Sequence, residues 1–393
     1  MKLSAWAPFA ALTAVASLGL AIFFTLYSLI PVTRADAPGL SSVFLGTMMG
    51  CVMLVQALTP ILVSRFSLRL VLGGSMVLTA VGAVITGFSV NTPALLSGAV
   101  AAGAGFGVLI VAGSQGIALL VPEERLGRMI GIYGLVTMAS AALGSPLGVQ
   151  LALTFSPSAF GLAAVIIGVL AVGLSFGIPA AVGKRHDGQD RSQRISSAEP
   201  TRPAFSNRLQ LIGRALAEAP WLVLGFLIVG VALLSHGLSS LPVITSSYVS
   251  AAVVIFSVQA GNALGRWFGG ELEARSTTGI TVLTAAALLA AGGVLGVVTT
   301  SSALVVLAGV LIGVGVGVVQ TVTLHTSMRL MSAGRASVMW NLSVDAGLWT
   351  GGILWGVALT SNFVVAGVLV LSALILMTGL ALMVQLKQLF PQT

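Results

Sequence analysis

Apolar runs of about twenty or more residues, the length an α-helix needs to cross a hydrocarbon core ~30 Å thick, follow one another along almost this whole chain. Short polar or Pro/Gly-containing breaks separate them. Inside lipid every backbone N–H and C=O must be bonded internally, so such runs fold as helices packed side by side. Composition agrees: 57% of the 393 residues are hydrophobic and only 7% are charged, whereas a soluble domain carries about 25% charged residues.

Dividing the chain at its breaks predicts twelve spans. They run Trp6–Pro31, Leu40–Val63, Leu70–Val90, Pro93–Val121, Met129–Thr154 and Ser158–Gly183, then Trp221–Leu241, Ser247–Gly270, Ile280–Val298, Ala303–His325, Ala336–Thr360 and Phe363–Lys387. The expected fold is thus an all-α membrane protein of two six-helix bundles, residues 1–183 and 220–393. Between them lies a polar linker, residues 184–219, holding 11 of the 28 charged residues; its Gln210–Leu216 stretch suits a short interfacial helix. The N-terminus mimics a secretory signal, but the apolar run from Ala5 to Val32 is too long and Pro38 sits where cleavage would fall. It reads as a retained first span. The single cysteine, Cys51, lies in a span, which excludes an intrachain disulfide and Cys-cluster chemistry.

The net charge of +8 does not point to nucleic acid, because the basic residues sit in the breaks rather than on one amphipathic face. With the N-terminus in the cytoplasm, 17 of the 18 Lys and Arg residues fall on the cytoplasmic side, Arg34 being the exception. Both termini are therefore expected inside, in a multi-pass protein of the cytoplasmic membrane, and residues 184–219 read as a cytosolic linker. The halves also repeat. Gly103, Gly105, Gly107 and Gln115 recur 210 residues later as Gly313, Gly315, Gly317 and His325. After a three-residue gap, Arg128, Tyr133 and Gly144 match Arg335, Trp340 and Gly351. Two repeated halves are a transporter architecture, with the substrate site at their interface near mid-membrane.

Four segments resemble the major facilitator superfamily, and within it the small bacterial twelve-helix efflux permeases. PILVSRFSLR (Pro60–Arg69) resembles a degraded form of that family's G-x-L-A-D-R-x-G-R-R loop after the second helix. GRWFGGELEAR (Gly265–Arg275) resembles its second-half copy, placed as the loop after the eighth helix. VPEERLGRMIGIYG (Val121–Gly134) resembles the start of the fifth helix, and LGSPLG (Leu143–Gly148) the Gly-Pro motif of exporters. The first motif departs from pattern, with Ser64 at the Asp position and Pro60 at the first Gly; in the second copy Ala274 takes the Asp position and Glu273 precedes it. The resemblance implies a cytoplasmic gate built from Arg65, Arg69, Arg266, Glu273 and Arg275. Alternatively, Arg65 and Arg69 are topology charges alone. Gly144 and Gly148 give a small-residue face around Pro146, suited to a moving interface between halves. The fourth span has no charged residue, unlike the arginine common in proton-driven drug antiporters of the family.

Asp345 is the only carboxylate inside an apolar span, and it shares a helix face with Asn341. A carboxylate near mid-bilayer costs roughly 2.5–3.5 kcal/mol, so it is kept for a partner or a task. It can exchange protons during transport, or it can tie the eleventh span to the second by a hydrogen bond. The resemblance places Tyr27, Gln115, His236 and Gln320 in a substrate cavity. Gln56, Tyr133, Gln259, Asn262 and Trp340 are further candidates, on the flanking helices at the interface between halves. His236 is placed near the external mouth.

These features predict a monomeric secondary transporter in the lipid bilayer, exporting a small organic molecule by alternating access coupled to protons. Neutral or cationic cargo is favoured over polyanions. Uptake of a neutral metabolite is the alternative within transport; a non-transporting receptor or scaffold is the alternative outside it. No cofactor, metal or enzymatic activity is expected. The three histidines, His186, His236 and His325, are scattered, and no G-x-x-x-x-G-K-[ST] loop occurs.

Overall fold

The computed structural model describes residues 6–89, 91–121, 126–183, 220–331 and 333–389, and every regular element among them is a helix. The linker expectation, including Gln210–Leu216, falls outside these residues. The first set of helices is α1 (Ala7–Thr33), α2 (Pro38–Gln56), α3 (Thr59–Phe66), α4 (Leu68–Phe88), α5 (Thr92–Leu120), α6 (Leu126–Thr154) and α7 (Pro157–Ser175). The second is α8 (Trp221–Leu238), α9 (Ser240–Ile244), α10 (Ala251–Arg275), α11 (Thr278–Val298), α12 (Ser302–Leu330), α13 (Ala333–Thr360) and α14 (Val364–Leu389).

Local sequence explains the helix starts. Proline occupies the first turn of α1, α2, α3, α5 and α7, where a missing N–H costs nothing. Asn91, Ser156 and Thr277 cap α5, α7 and α11 by accepting from the backbone N–H of Ala94, Ala159 and Ile280. Pro60 also explains why the predicted second span breaks in two. It has no N–H to give the Gln56 carbonyl, and α2 ends at Gln56.

Eleven stretches among the described residues are long and apolar enough to cross a membrane, α8 and α9 counting together. The predicted eighth span, α10, is 25 residues long but less apolar, because Gln259, Asn262, Arg266 and Glu271 lie along it. The GRWFGGELEAR segment is not a loop as expected: α10 runs through it to Arg275. Its Glu, Leu, Ala and Arg residues favour helix, and no proline interrupts them.

Within the first set, α1 packs on α6 and α7, α4 on α5 and α7, and α2 on α5; within the second, α10 and α11 pack on α12, and α8 on α13. Glycines permit the closest approaches. Gly103 and Gly107 of α5 lie on Met48 and Val52 of α2, and Gly105 on Ser75 and Thr79 of α4. Gly313 and Gly317 of α12 lie likewise on Val258 and Asn262 of α10, and Gly315 on Ala285 and Leu289 of α11. The two sets meet along two main seams, α2 with α13 and α6 with α10. One end of the helix assembly carries Pro38 and Thr360; the opposite end carries Arg65 and Leu330.

Candidate functional site

The α2–α13 seam is tied by polar contacts that descend from the Pro38 end. Ser42 Oγ donates to the Ile353 carbonyl at 2.9 Å, and Trp349 Nε1 donates to the Gly46 carbonyl at 3.1 Å. Gly356 lets α13 rest directly on Ser42. From α1, the hydroxyl of buried Tyr27 donates to the Leu348 carbonyl at 2.8 Å and lies 2.6 Å from Ser235 Oγ of α8. Deeper along the same seam, Gln56 Nε2 donates to Asp345 Oδ2 at 2.6 Å. Both side chains are buried, Gln56 8% and Asp345 7% exposed. Asp345 lies twelve residues into the 28-residue α13, close to its middle. The carboxylate thus meets a donor from the other helix set, in a contact largely shielded from solvent.

A second polar locus lies between α10, α12 and α13, toward the Arg65 end. Arg266, Gln320, Thr321, Leu324, His325, Met328 and Trp340 line a cavity of about 280 Å³. Arg266 Nε donates to Gln320 Oε1 at 2.8 Å, and Thr321 Oγ1 donates to the Arg266 carbonyl at 3.2 Å. Trp340 is fixed by its indole N–H, which donates to Thr323 Oγ1 at 3.1 Å. Arg266 lies inside α10, as the predicted eighth span had it, nine residues before the helix ends.

The remaining candidates do not join these two loci. His236, two residues before the end of α8, is fully buried, with Nδ1 2.6 Å from Ser240 Oγ and its ring 4.8 Å from that of Trp355. The chain beyond it turns into α9 and covers it. Tyr133 of α6 places its hydroxyl over Gly113 of α5, and Gln115 is half-buried on α5. Gln259 and Asn262 are buried on α10, and neither Gln259 Nε2 nor Asn262 Oδ1 has a hydrogen-bond partner among the described residues.

Gly144 and Gly148 do not face the other helix set. They seat α6 on Ala21 and Thr25 of α1, within the first set. Ser145 Oγ next to Pro146 donates to the Phe24 carbonyl at 3.0 Å, reinforcing that contact. Arg65 lies over the Phe66 ring and Arg69 over that of Phe176, both partners being in the first set. The side chains of Glu273 and Arg275 are outside the described residues.

Three features escaped the sequence reading. Ser235 partners Tyr27, although only its neighbour His236 stood out in the sequence. Thr323 positions Trp340. Ser67, at the second glycine of the degraded motif, has φ 77° between α3 and α4, a conformation that favours glycine. The motif alignment itself carried that last signal.

Two sets of long apolar helices meeting along two seams are the architecture of a multi-pass membrane protein. The sequence profile of the Major Facilitator Superfamily matches residues 9–352, and the chain belongs to that family. No curated protein matches it by sequence. Among solved structures, a POT family transporter in complex with 5-aminolevulinic acid superposes with TM-score 0.75 at 12% identity, covering 97% of this chain and 96% of that one. A peptide transporter POT in complex with sulfate gives 0.71 at 12% identity, covering 98% and 94%. A mutant of the nucleoside transporter NupG gives 0.70 at 12% identity, covering 97% and 99%. At these identities the likeness concerns the fold.

Proposed function

We propose that this chain is a proton-coupled secondary transporter that exports a small organic molecule across the cytoplasmic membrane by alternating access. The observation that carries the reading is the Gln56–Asp345 hydrogen bond, which joins the two helix sets through the one carboxylate inside an apolar span. An ionised Asp345 is the stronger acceptor for Gln56, because a charge-assisted bond is roughly twice as strong as a neutral one. Taking up a proton weakens that tie and lets α13 part from α2. Proton binding and separation of the helix sets then become one event. The fold has room for organic cargo, since one similar structure holds 5-aminolevulinic acid.

In this reading the chain has twelve spans in two pseudo-repeated bundles, residues 1–183 and 220–393, joined by a cytosolic linker at 184–219. Matching glycine contacts at 103–107 and 313–317 support the repeat. Both termini are cytoplasmic, so the Pro38 end, where the seam is tied, is the external side. The cavity of Arg266 then faces the cytoplasm, and Arg65, Arg69, Glu273 and Arg275 gate that side.

The test is flux in proteoliposomes holding the full chain, with a panel of organic compounds and an imposed pH gradient. Movement of at least one compound that collapses with a protonophore supports the reading. Flux indifferent to the gradient removes the proton coupling. No flux of any compound under any gradient removes transport itself.

A further inference from the structure

We infer that the cavity between α10, α12 and α13 is a subsite for the carboxylate of an amphipathic organic anion, read by Arg266. The inference rests on the transport reading for its biological use, but the site is argued from its own chemistry. Arg266 lies nine residues before the end of α10, about 13 Å along the helix from Arg275 at 1.5 Å per residue. Among the described residues no carboxylate pairs with it, and its one side-chain hydrogen bond there is from Nε to Gln320 Oε1. That bond fixes the plane of the guanidinium. It also leaves the two terminal NH2 groups of this part-buried side chain, the fork that binds a carboxylate through two parallel bonds, without a protein partner among the described residues.

An arginine charge set between packed helices without a carboxylate partner is costly. An anion in the adjoining cavity removes that cost, so the site selects charge by the same physics that makes the empty arginine unfavourable. The rest of the lining selects an apolar body. Trp340, locked by Thr323, joins Leu324 and Met328 to form an apolar wall. The volume of about 280 Å³ is at the lower edge of small-molecule sites, ~300–1,000 Å³, which suits a monocarboxylate of modest size. This reverses the preference for neutral or cationic cargo drawn from the sequence. There, Arg266 fell near the cytoplasmic end of the eighth span and was grouped with the gate residues.

Equilibrium binding to the purified full chain tests the site without requiring transport. Calorimetric titration compares benzoate, phenylacetate and octanoate with their neutral amides. Each acid is expected to bind at least ten-fold more tightly than its amide. Arg266→Gln should abolish that difference by weakening the acids, and Arg266→Lys should recover part of it, because a point charge lacks the planar fork. Equal affinity for acid and amide in the unaltered protein overturns the proposal, and that comparison needs no variant to fold. Acid binding undiminished in a folded Arg266→Gln protein also overturns it. If lipid-depleted protein binds none of the acids and only phosphatidylglycerol binds in an Arg266-dependent way, the site belongs to a lipid headgroup. Tight acid binding without flux would break the transport reading and leave the subsite standing; gradient-driven flux with no preference for acids does the reverse.

Discussion

Gln56 and Asp345, 289 residues apart in sequence, share a 2.6 Å hydrogen bond that crosses the contact between the two helix sets. Gln56 is the last residue of α2, immediately before the break that Pro60 imposes. The donor therefore sits where its helix is free to bend, while the acceptor sits in the middle of an unbroken one. Such a bond is suited to being made and broken.

Replacing Gln56 by Leu keeps the bulk and removes the donor. A buried acceptor left without a partner costs about 1–3 kcal/mol. Thermal unfolding in detergent should show a clear loss of stability for Gln56→Leu. Adding Asp345→Leu to it should restore much of the loss, since both polar groups are then gone. A double variant no better than the single one would mean the two side chains act independently.

Tyr27 holds the Pro38 end by bonding to both Leu348 and Ser235. Tyr27→Phe deletes the hydroxyl and about 1 kcal/mol of net hydrogen bonding, roughly a five-fold change in an equilibrium. The population open at the Pro38 end should rise by about that factor. Labelling rates of a cysteine placed at Ser42, in a chain with Cys51 replaced, measure it. Equal labelling with and without the tyrosine hydroxyl would show that this end is held elsewhere.

The α10–α12 contact depends on glycine. A methyl group at Gly313 falls on the Val258 carbonyl, whereas one at Gly225 meets nothing within 4 Å. Gly313→Ala should destabilise by about 1–3 kcal/mol through overpacking. Gly225→Ala should be neutral or slightly stabilising, because alanine is the better helix former. Melting temperatures in detergent separate the two outcomes.

Ser67 adopts φ 77° and ψ 151°, a region almost reserved for glycine and worth about 1–3 kcal/mol of strain in other residues. Its place is held by α4, whose Leu68 N–H donates to the Val182 carbonyl at 2.9 Å. Ser67→Gly should raise thermal stability, and Ser67→Val should lower it. The opposite order would show that the serine hydroxyl outweighs the backbone.

Helix positions were legible in the sequence because a membrane forces apolar runs into helices of a set length. Asp345 and Gln56 both stand out there, the first because charge is rare in lipid and the second because a polar side chain in a span needs a partner. Their pairing is one of two options the sequence leaves open, since nothing in the spacing of residues 289 apart fixes a contact. Which face of a helix meets lipid was not legible either. Lipid tails are as apolar as a protein core, so Leu12 at 0% exposure and Leu54 at 75% look alike in sequence. For the same reason the sequence did not show that the Gly144–Gly148 face rests on α1, or that α9 covers His236. The continuation of α10 past Gly270 to Arg275 was hidden because the charged residues there suggested a loop.

In the proposed mechanism Asp345 is the group that links proton movement to the parting of α2 from α13. Substrate-driven proton flux in proteoliposomes, compared between the unaltered chain and Asp345→Asn, tests that role most directly. Asparagine keeps the shape and can still accept from Gln56, so the fold should survive, as melting temperature will confirm. The expected result is loss of proton flux by at least ten-fold while exchange of substrate between the two sides continues. Proton flux equal to that of the unaltered chain would contradict the role assigned to Asp345.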